Sequence, residues 1–182
     1  MVGGAVDRSW MQYSLEQYDG YDPGIVIPES ITNNKASATV DLPFNNTATN
    51  SPIVYAPQLL GFAVGRLFNL RSGTTYRLAE ICMIAVYALL MYCAVMTLPK
   101  WRIPVGLLLC VPQMLRLASF SISADSLTQA VMILFSCLLF RGIIGKRSQR
   151  GAVALAVTSV LLAMCKFVYM PLVLLVIPLM FD

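Results

Sequence analysis

At 182 residues the chain is 58% hydrophobic and only 12% charged, with a mean hydropathy of +0.71. A soluble domain carries about 25% charged residues, so this composition indicates a membrane protein instead. The net charge of +4 does not suggest nucleic acid, because the basic residues sit at the ends of apolar segments and form no stripe with interspersed aromatics.

In chain order, residues 1–56 are polar, rich in Asn, Thr, Asp and Gly and interrupted by Pro23, Pro28 and Pro43. They read as an extracytoplasmic loop region, mostly irregular, with short helical pieces at most. The membrane domain covers 57–182, with a juxtamembrane helix over 57–70 and membrane segments at about 78–98, 103–120, 123–141, 151–165 and 167–181. Pro52 and Pro57 favour an extended approach and a helix start near Pro57. The 57–70 helix is too short for about 30 Å of hydrocarbon and suits the interface. On it Arg66 and Asn69 share a face, and Arg66 reads either as an anion contact or as a snorkelling arginine. Gly61 and Gly65 form a small-xxx-small pair suited to close helix contact.

Leu78–Leu98 is the clearest spanning helix, with Glu80 near its start and Arg77 or Arg66 as partners by type. Pro99-Lys100-Trp101-Arg102 supplies a turn, basic charge and an interfacial aromatic. The 103–120 segment follows, with Gln113 and Arg116 toward its far end. Ser119–Phe140 then opens on small hydroxyls and Asp125 before a continuous apolar run. A carboxylate there is tolerable only at an interface, in a cavity or beside a cation, and Arg116 and Lys166 are its best partners by type. All five cysteines lie in or at the ends of apolar segments, without metal or redox spacing, and read as small hydrophobes.

Lys100 and Arg102 follow one spanning segment; Arg141, Lys146, Arg147 and Arg150 follow another. The positive-inside rule places both basic loops in the cytoplasm and residues 1–77 outside. Arg66, Arg77, Glu80, Arg116, Ser121, Ser123 and Asp125 then gather at the outer face as the rim of a polar pocket. Gly151–Phe181 admits two arrangements. A single long helix buries Lys166 deep in hydrocarbon, at a cost of several kcal/mol unless it snorkels or pairs. Two shorter segments meeting at Lys166 put it at the outer face beside Asp125, with Tyr169 on the same rim; this arrangement is favoured because it opens a pocket. The absence of a translocating element before the outward N-terminal region, and the apolar end at Phe181-Asp182, suggest an internal piece of a larger polytopic protein. At least one helix is expected before Met1 and several after Asp182.

Several motifs in order carry a resemblance: Ser51-Pro-Ile-Val-Tyr-Ala-Pro-Gln-Leu-Leu-Gly, Gly65-Arg-Leu-Phe, Val111-Pro-Gln-Met, Ser121-Ile-Ser-Ala-Asp-Ser and Cys165-Lys-Phe-Val-Tyr-Met-Pro. From about Phe44 onward the chain resembles the bacterial polytopic membrane proteins catalogued as domain of unknown function 2142, a family similar to the membrane glycosyltransferases of the C-type fold. The resemblance implies an all-α fold, a polytopic transmembrane helical bundle of which this chain is a fragment, in the bacterial plasma membrane. It implies transfer of a sugar from a polyprenyl-phosphate-linked donor to a cell-envelope acceptor, with membrane lipids and the remaining helices of the same protein as partners. The family's Pro-Asp-Glu segment has no counterpart here, which puts the catalytic acid upstream of Met1, and Glu80 stands near where an arginine is common in the family.

Carried over by residue, the resemblance makes Asp125, Ser121 and Ser123 part of an outward cavity wall and Lys166 a contact for the lipid-linked phosphate. Sugar transfer to an alcohol needs a carboxylate to accept a proton and positive charge on the departing phosphate. Lys166 would serve as a point charge, and Arg116 or Arg66 would bind phosphate oxygens bidentately. The plainer readings make Lys166 an interface anchor and Asp125 a salt-bridge or helix-capping residue. No cofactor is expected; carboxylates are too few and dispersed for a metal site, and any divalent metal would belong to the full-length protein. The alternatives in function are a transporter or flippase-like component, for which hydropathy repeats are lacking, and a non-catalytic membrane scaffold.

Overall fold

The computed structural model of the chain describes residues 3–7, 39–43, 50–111, 122–145 and 148–176. The chain divides into two compact units, one of Met1–Thr49 with Leu59–Ala79 and the other of Asn50–Gln58 with Glu80–Asp182.

In the first unit β1 (Gly3–Asp7) pairs antiparallel with β2 (Thr39–Pro43), Gly3 opposite Pro43 and Asp7 opposite Thr39. The N-terminal region, read from sequence as irregular with short helical pieces, thus contains a two-stranded sheet. Helix α1 (Ala56–Leu67) and helix α2 (Ser72–Thr97) follow, and their first-unit portions, Leu59–Leu67 and Ser72–Ala79, approach closely. A Cβ at Gly61 would lie 2.4 Å from the Ala79 Cα, and one at Gly65 would lie 2.2 Å from Thr75 Cγ2. At Gly61 nothing beyond a hydrogen fits against the backbone of Leu78 and Ala79, whereas at Gly65 the space is filled by the Thr75 side chain.

Helix α1 stops at Leu67 in a left-handed cap. Asn69 has φ 53°, its amide donates to Arg66 O at 3.2 Å, and the Leu70 amide reaches Gly65 O at 2.8 Å. This is the Schellman arrangement with asparagine in the place glycine usually takes. Asn69 therefore leaves the helix and shares no helical face with Arg66, contrary to the sequence reading.

The second unit holds a 3₁₀ turn at Pro52–Tyr55, the rest of α2, α3 (Arg102–Leu109), α4 (Ala124–Ile144) and α5 (Gln149–Cys165). After Lys166 come a 3₁₀ turn at Phe167–Tyr169, the single turn α6 (Met170–Val173) and a further 3₁₀ turn at Leu174–Val176. The chain beyond Lys166 is thus helical in three short pieces as far as Val176, where the sequence suggests one segment over 167–181. Helix α2 begins at Ser72, earlier than the apolar run suggests, because Ser72-Gly-Thr-Thr tolerates a helical first turn. Helix α3 ends at Leu109 with a turn at Cys110 and Val111, and the rest of the expected 103–120 segment lies outside the described residues. The clash of a proline ring with the residue before it explains this end, since Val111 precedes Pro112.

Among the described residues two helices are long and apolar enough to cross a membrane, Ser72–Thr97 with 26 residues and Ala124–Ile144 with 21. At 1.5 Å per residue they extend about 39 and 32 Å, against a hydrocarbon core of about 30 Å. The 17-residue α5 is apolar but shorter. Helices α4 and α5 form the most extensively packed pair of the second unit. Its core gathers Met83, Tyr87 and Met91 of α2, Leu127, Ala130, Val131, Phe135 and Leu138 of α4, and Leu155 and Leu162 of α5. Ala94, Leu98 and Cys137 form a smaller cluster, which brings the C-terminal ends of α2 and α4 together.

Hydroxyls inside these apolar helices bond to their own backbone. Thr128 donates to Ala124 O at 2.8 Å, Ser136 to Met132 O at 2.8 Å and Ser159 to Leu155 O at 2.6 Å. Back-bonding of this kind satisfies the hydroxyl without water, at the cost of a slight bend in the helix.

Candidate functional site

The N-terminus of α4 is built for an acid. Ser123 has extended backbone, and its Oγ accepts the Asp125 amide at 3.1 Å, which satisfies one of the orphan donors of the first turn. Asp125 stands in that turn, where the helix presents partial positive charge. Helix α5 returns alongside α4 and ends at Cys165, and Lys166 leaves it with φ −148° and ψ 125°. This extended residue carries its ammonium to Asp125, and the two form an ion pair with a hydrogen bond from Lys166 Nζ to Asp125 Oδ1.

The pair is open to solvent, with 33% of the Lys166 side chain and 73% of the Asp125 side chain exposed. An ion pair so exposed contributes about 0.2–1 kcal/mol to stability, so its value lies in placing charge more than in holding the fold. The hydrogen bond to Asp125 raises the Lys166 ammonium above the ordinary lysine range; desolvation opposes this, and the phenols of Tyr169 and Tyr55 act in the same sense as Asp125. An ammonium has three donors, and Asp125 takes one of them.

Beneath the pair lies a small apolar cluster of Val54, Ala124 and Cys165, flanked by Ile53 and Tyr55. Its members come from three distant segments: the Ser51–Gln58 motif, the Ser121–Ser126 motif and the Cys165–Pro171 motif. The 3₁₀ turn of the first segment is capped by Ser51, whose Oγ accepts the Ile53 amide at 3.4 Å, and Asn50 Nδ2 donates to Tyr55 Oη at 3.4 Å. Gln58, 1% exposed, donates from Nε2 to Ser123 O at 3.4 Å and so ties the turn to the α4 cap. Its Oε1 is buried without a hydrogen-bond partner among the described residues.

Asp125, Ser123, Lys166 and Tyr169 are therefore at one end of the second unit. Glu80 lies half-buried on α2, at the start of the second stretch of that unit, and Arg66 is exposed on α1 in the first unit. Arg116 and Ser121 lie outside the described residues. Gln58, Tyr55 and Asn50 were not singled out by sequence reasoning. The available signal was a glutamine directly after Pro57, at the entry to an apolar helix, where an amide needs a specific partner. Among the described residues no three of His, Cys, Asp and Glu come together as a metal-binding group.

A family model described as "Predicted membrane protein (DUF2142)" matches residues 27–180, the greater part of the chain. The chain belongs to this family. No curated protein and no solved structure matches it. With two helices among the described residues long and apolar enough to span, the DUF2142 chain is a multi-pass membrane protein. All three segments that meet at the Asp125–Lys166 end of the DUF2142 chain fall inside the matched region.

Proposed function

We propose that the Asp125–Lys166 end of the second unit binds the phosphate of a polyprenyl-phosphate-linked sugar, and that the protein serves in transfer of that sugar to a cell-envelope acceptor at the outer face of a bacterial plasma membrane. The observation that carries this reading is the convergence of Val54, Ala124 and Cys165 beneath the ion pair. Three segments separated in sequence meet at the end of apolar helices, where a lipid tail would lie along hydrocarbon and its headgroup would reach water. Lys166 supplies positive charge to the phosphate, and Ser123 and Gln58 fix the α4 terminus beside it. Asp125 holds the ammonium in place between turnovers. The arrangement resembles part of a C-type membrane glycosyltransferase in what it offers chemically, namely cationic stabilisation of a departing phosphate.

The test is binding of a photoreactive polyprenyl-phosphate sugar to the purified chain in lipid nanodiscs. Wild type and Lys166→Arg are expected to crosslink, and Lys166→Ala to lose about tenfold, the scale of one charge-assisted contact of roughly 1.5 kcal/mol. Undiminished crosslinking in Lys166→Ala would remove Lys166 from the site. Movement of the lipid across the bilayer without a glycosidic product would point to the flippase-like alternative.

A further inference from the structure

At the opposite end of α4 from Asp125 there is a groove of about 540 Å³, lined by Leu98, Trp101, Val105, Leu108, Cys137 and Phe140 with Pro104 and Ser136. This is within the usual range of about 300–1,000 Å³ for a ligand cleft. The lining offers a ligand almost nothing polar, since Ser136 already donates to Met132 O at 2.8 Å. The rim has the opposite character. Lys100 and Arg102 flank Trp101, Arg141 follows Phe140, and Lys100 and Arg102 are exposed. Among the described residues of this unit the carboxylates are Glu80 and Asp125, both near the N-terminal ends of its long helices. The groove end is therefore uniformly cationic.

Trp101 reinforces the design. Its φ of 66° is left-handed, an unfavourable backbone state for a bulky aromatic, and it persists because the neighbouring turn holds it: Arg102 Nε donates to Leu98 O at 2.7 Å and the Val105 amide reaches Trp101 O at 3.1 Å. The result is an indole 67% exposed on the groove wall between two cations. Amphipathic rings of this kind settle at the headgroup level of a bilayer.

We infer that this groove is a binding site for an anionic phospholipid, one acyl chain lying in the cleft and the headgroup phosphate meeting Lys100, Arg102 and Arg141. Charge complementarity selects this occupant. A zwitterionic lipid gains nothing net from three cations, and an apolar helix would leave them facing hydrocarbon. Basic pockets between spanning helices recognise anionic headgroups by this combination.

Of the two tryptophans, Trp10 and Trp101, the second becomes the sole reporter in a Trp10→Phe background. The full chain is reconstituted in phosphatidylcholine vesicles doped with brominated phosphatidylglycerol or, separately, brominated phosphatidylcholine. Brominated phosphatidylglycerol is expected to quench Trp101 at an at least about fivefold lower mole fraction. Lys100→Gln with Arg141→Gln should erase the preference, and Lys100→Arg with Arg141→Lys should keep it. Ser136→Phe, which fills the cleft without changing charge, should erase it as well. Equal quenching by the two lipids overturns the inference, as does absence of quenching by both, which would mean that a helix or second copy covers the groove. Loss of the preference on adding inorganic phosphate at constant ionic strength would assign the cations to free phosphate and also overturn it.

Discussion

Lys166 donates a hydrogen bond to the carboxylate of Asp125, 41 residues earlier in the chain, and so joins the end of α5 to the start of α4. The contact sets the acid–base behaviour of this end of the molecule. Because the folded-state Lys166 value is raised, the pair's contribution to stability is complete below the unfolded lysine value, about 10.4, and is lost as pH climbs through the higher folded value. Thermal unfolding of wild type and Lys166→Met in detergent is expected to differ by at most about 1 kcal/mol, or about 2–4 °C, at pH 7–9. The difference should shrink above about pH 10.4. A difference that grows with alkalinity would contradict the pairing.

The approach of α1 to α2 predicts an ordering of two alanine substitutions. Gly61→Ala drives a methyl into the Ala79 backbone, which cannot turn away; Gly65→Ala meets the Thr75 side chain. Overpacking costs about 1–3 kcal/mol, and Gly61→Ala should fall at the upper end. Adding Thr75→Ala should recover part of the stability lost in Gly65→Ala and none of that lost in Gly61→Ala. Denaturant titration in mixed micelles measures all four variants.

Gln58 offers a test of what the buried amide does. Gln58→Leu keeps the volume, deletes the donor to Ser123 O and also removes the unpartnered Oε1, so its stability cost should stay within about 1 kcal/mol. Gln58→Ala leaves a cavity in addition and should cost about 2 kcal/mol more. If both variants unfold at the wild-type temperature, the tie between the 3₁₀ turn and the α4 cap has no energetic role.

Meeting of the C-terminal ends of α2 and α4 makes a topological prediction. In a cysteine-free background, single cysteines at Lys100 and Gly145 should react with a membrane-impermeant maleimide from the same side of sealed vesicles. A cysteine at Asp125 should react from the other side. Labelling of positions 100 and 145 from opposite sides would show that the two helices do not share an end at one surface.

The two long helices were legible because length and uninterrupted apolarity suffice to mark a span. Their limits were less so: Ser72-Gly-Thr-Thr is polar yet helical, and α3 ends before a proline that the apolar run conceals. The β1–β2 pairing joins segments far apart in sequence, and no local pattern announces such a partner. At the Asp125–Lys166 end, the cost of placing charge in apolar surroundings made each ion visible in the sequence. The amide of Gln58 was not visible in this way, since a single polar residue at the start of a helix reads as solvated until its burial is known. Asn69 shows the same limit, because its left-handed cap depends on the last carbonyls of α1 and not on its own neighbours.

The extended backbone at Lys166 has a consequence for how easily the pair exchanges. Asp125 sits at the electropositive start of its own helix, and Lys166 at the electronegative finish of the one before it. Each charge is therefore held twice, once by its counter-ion and once by a helix end. An anion that takes the ammonium away leaves the carboxylate still supported by the amides of α4, and when that anion departs the ammonium returns to a partner that has stayed in place. At the proposed phosphate site the ion pair would act as a reversible latch whose open state is not an orphaned charge.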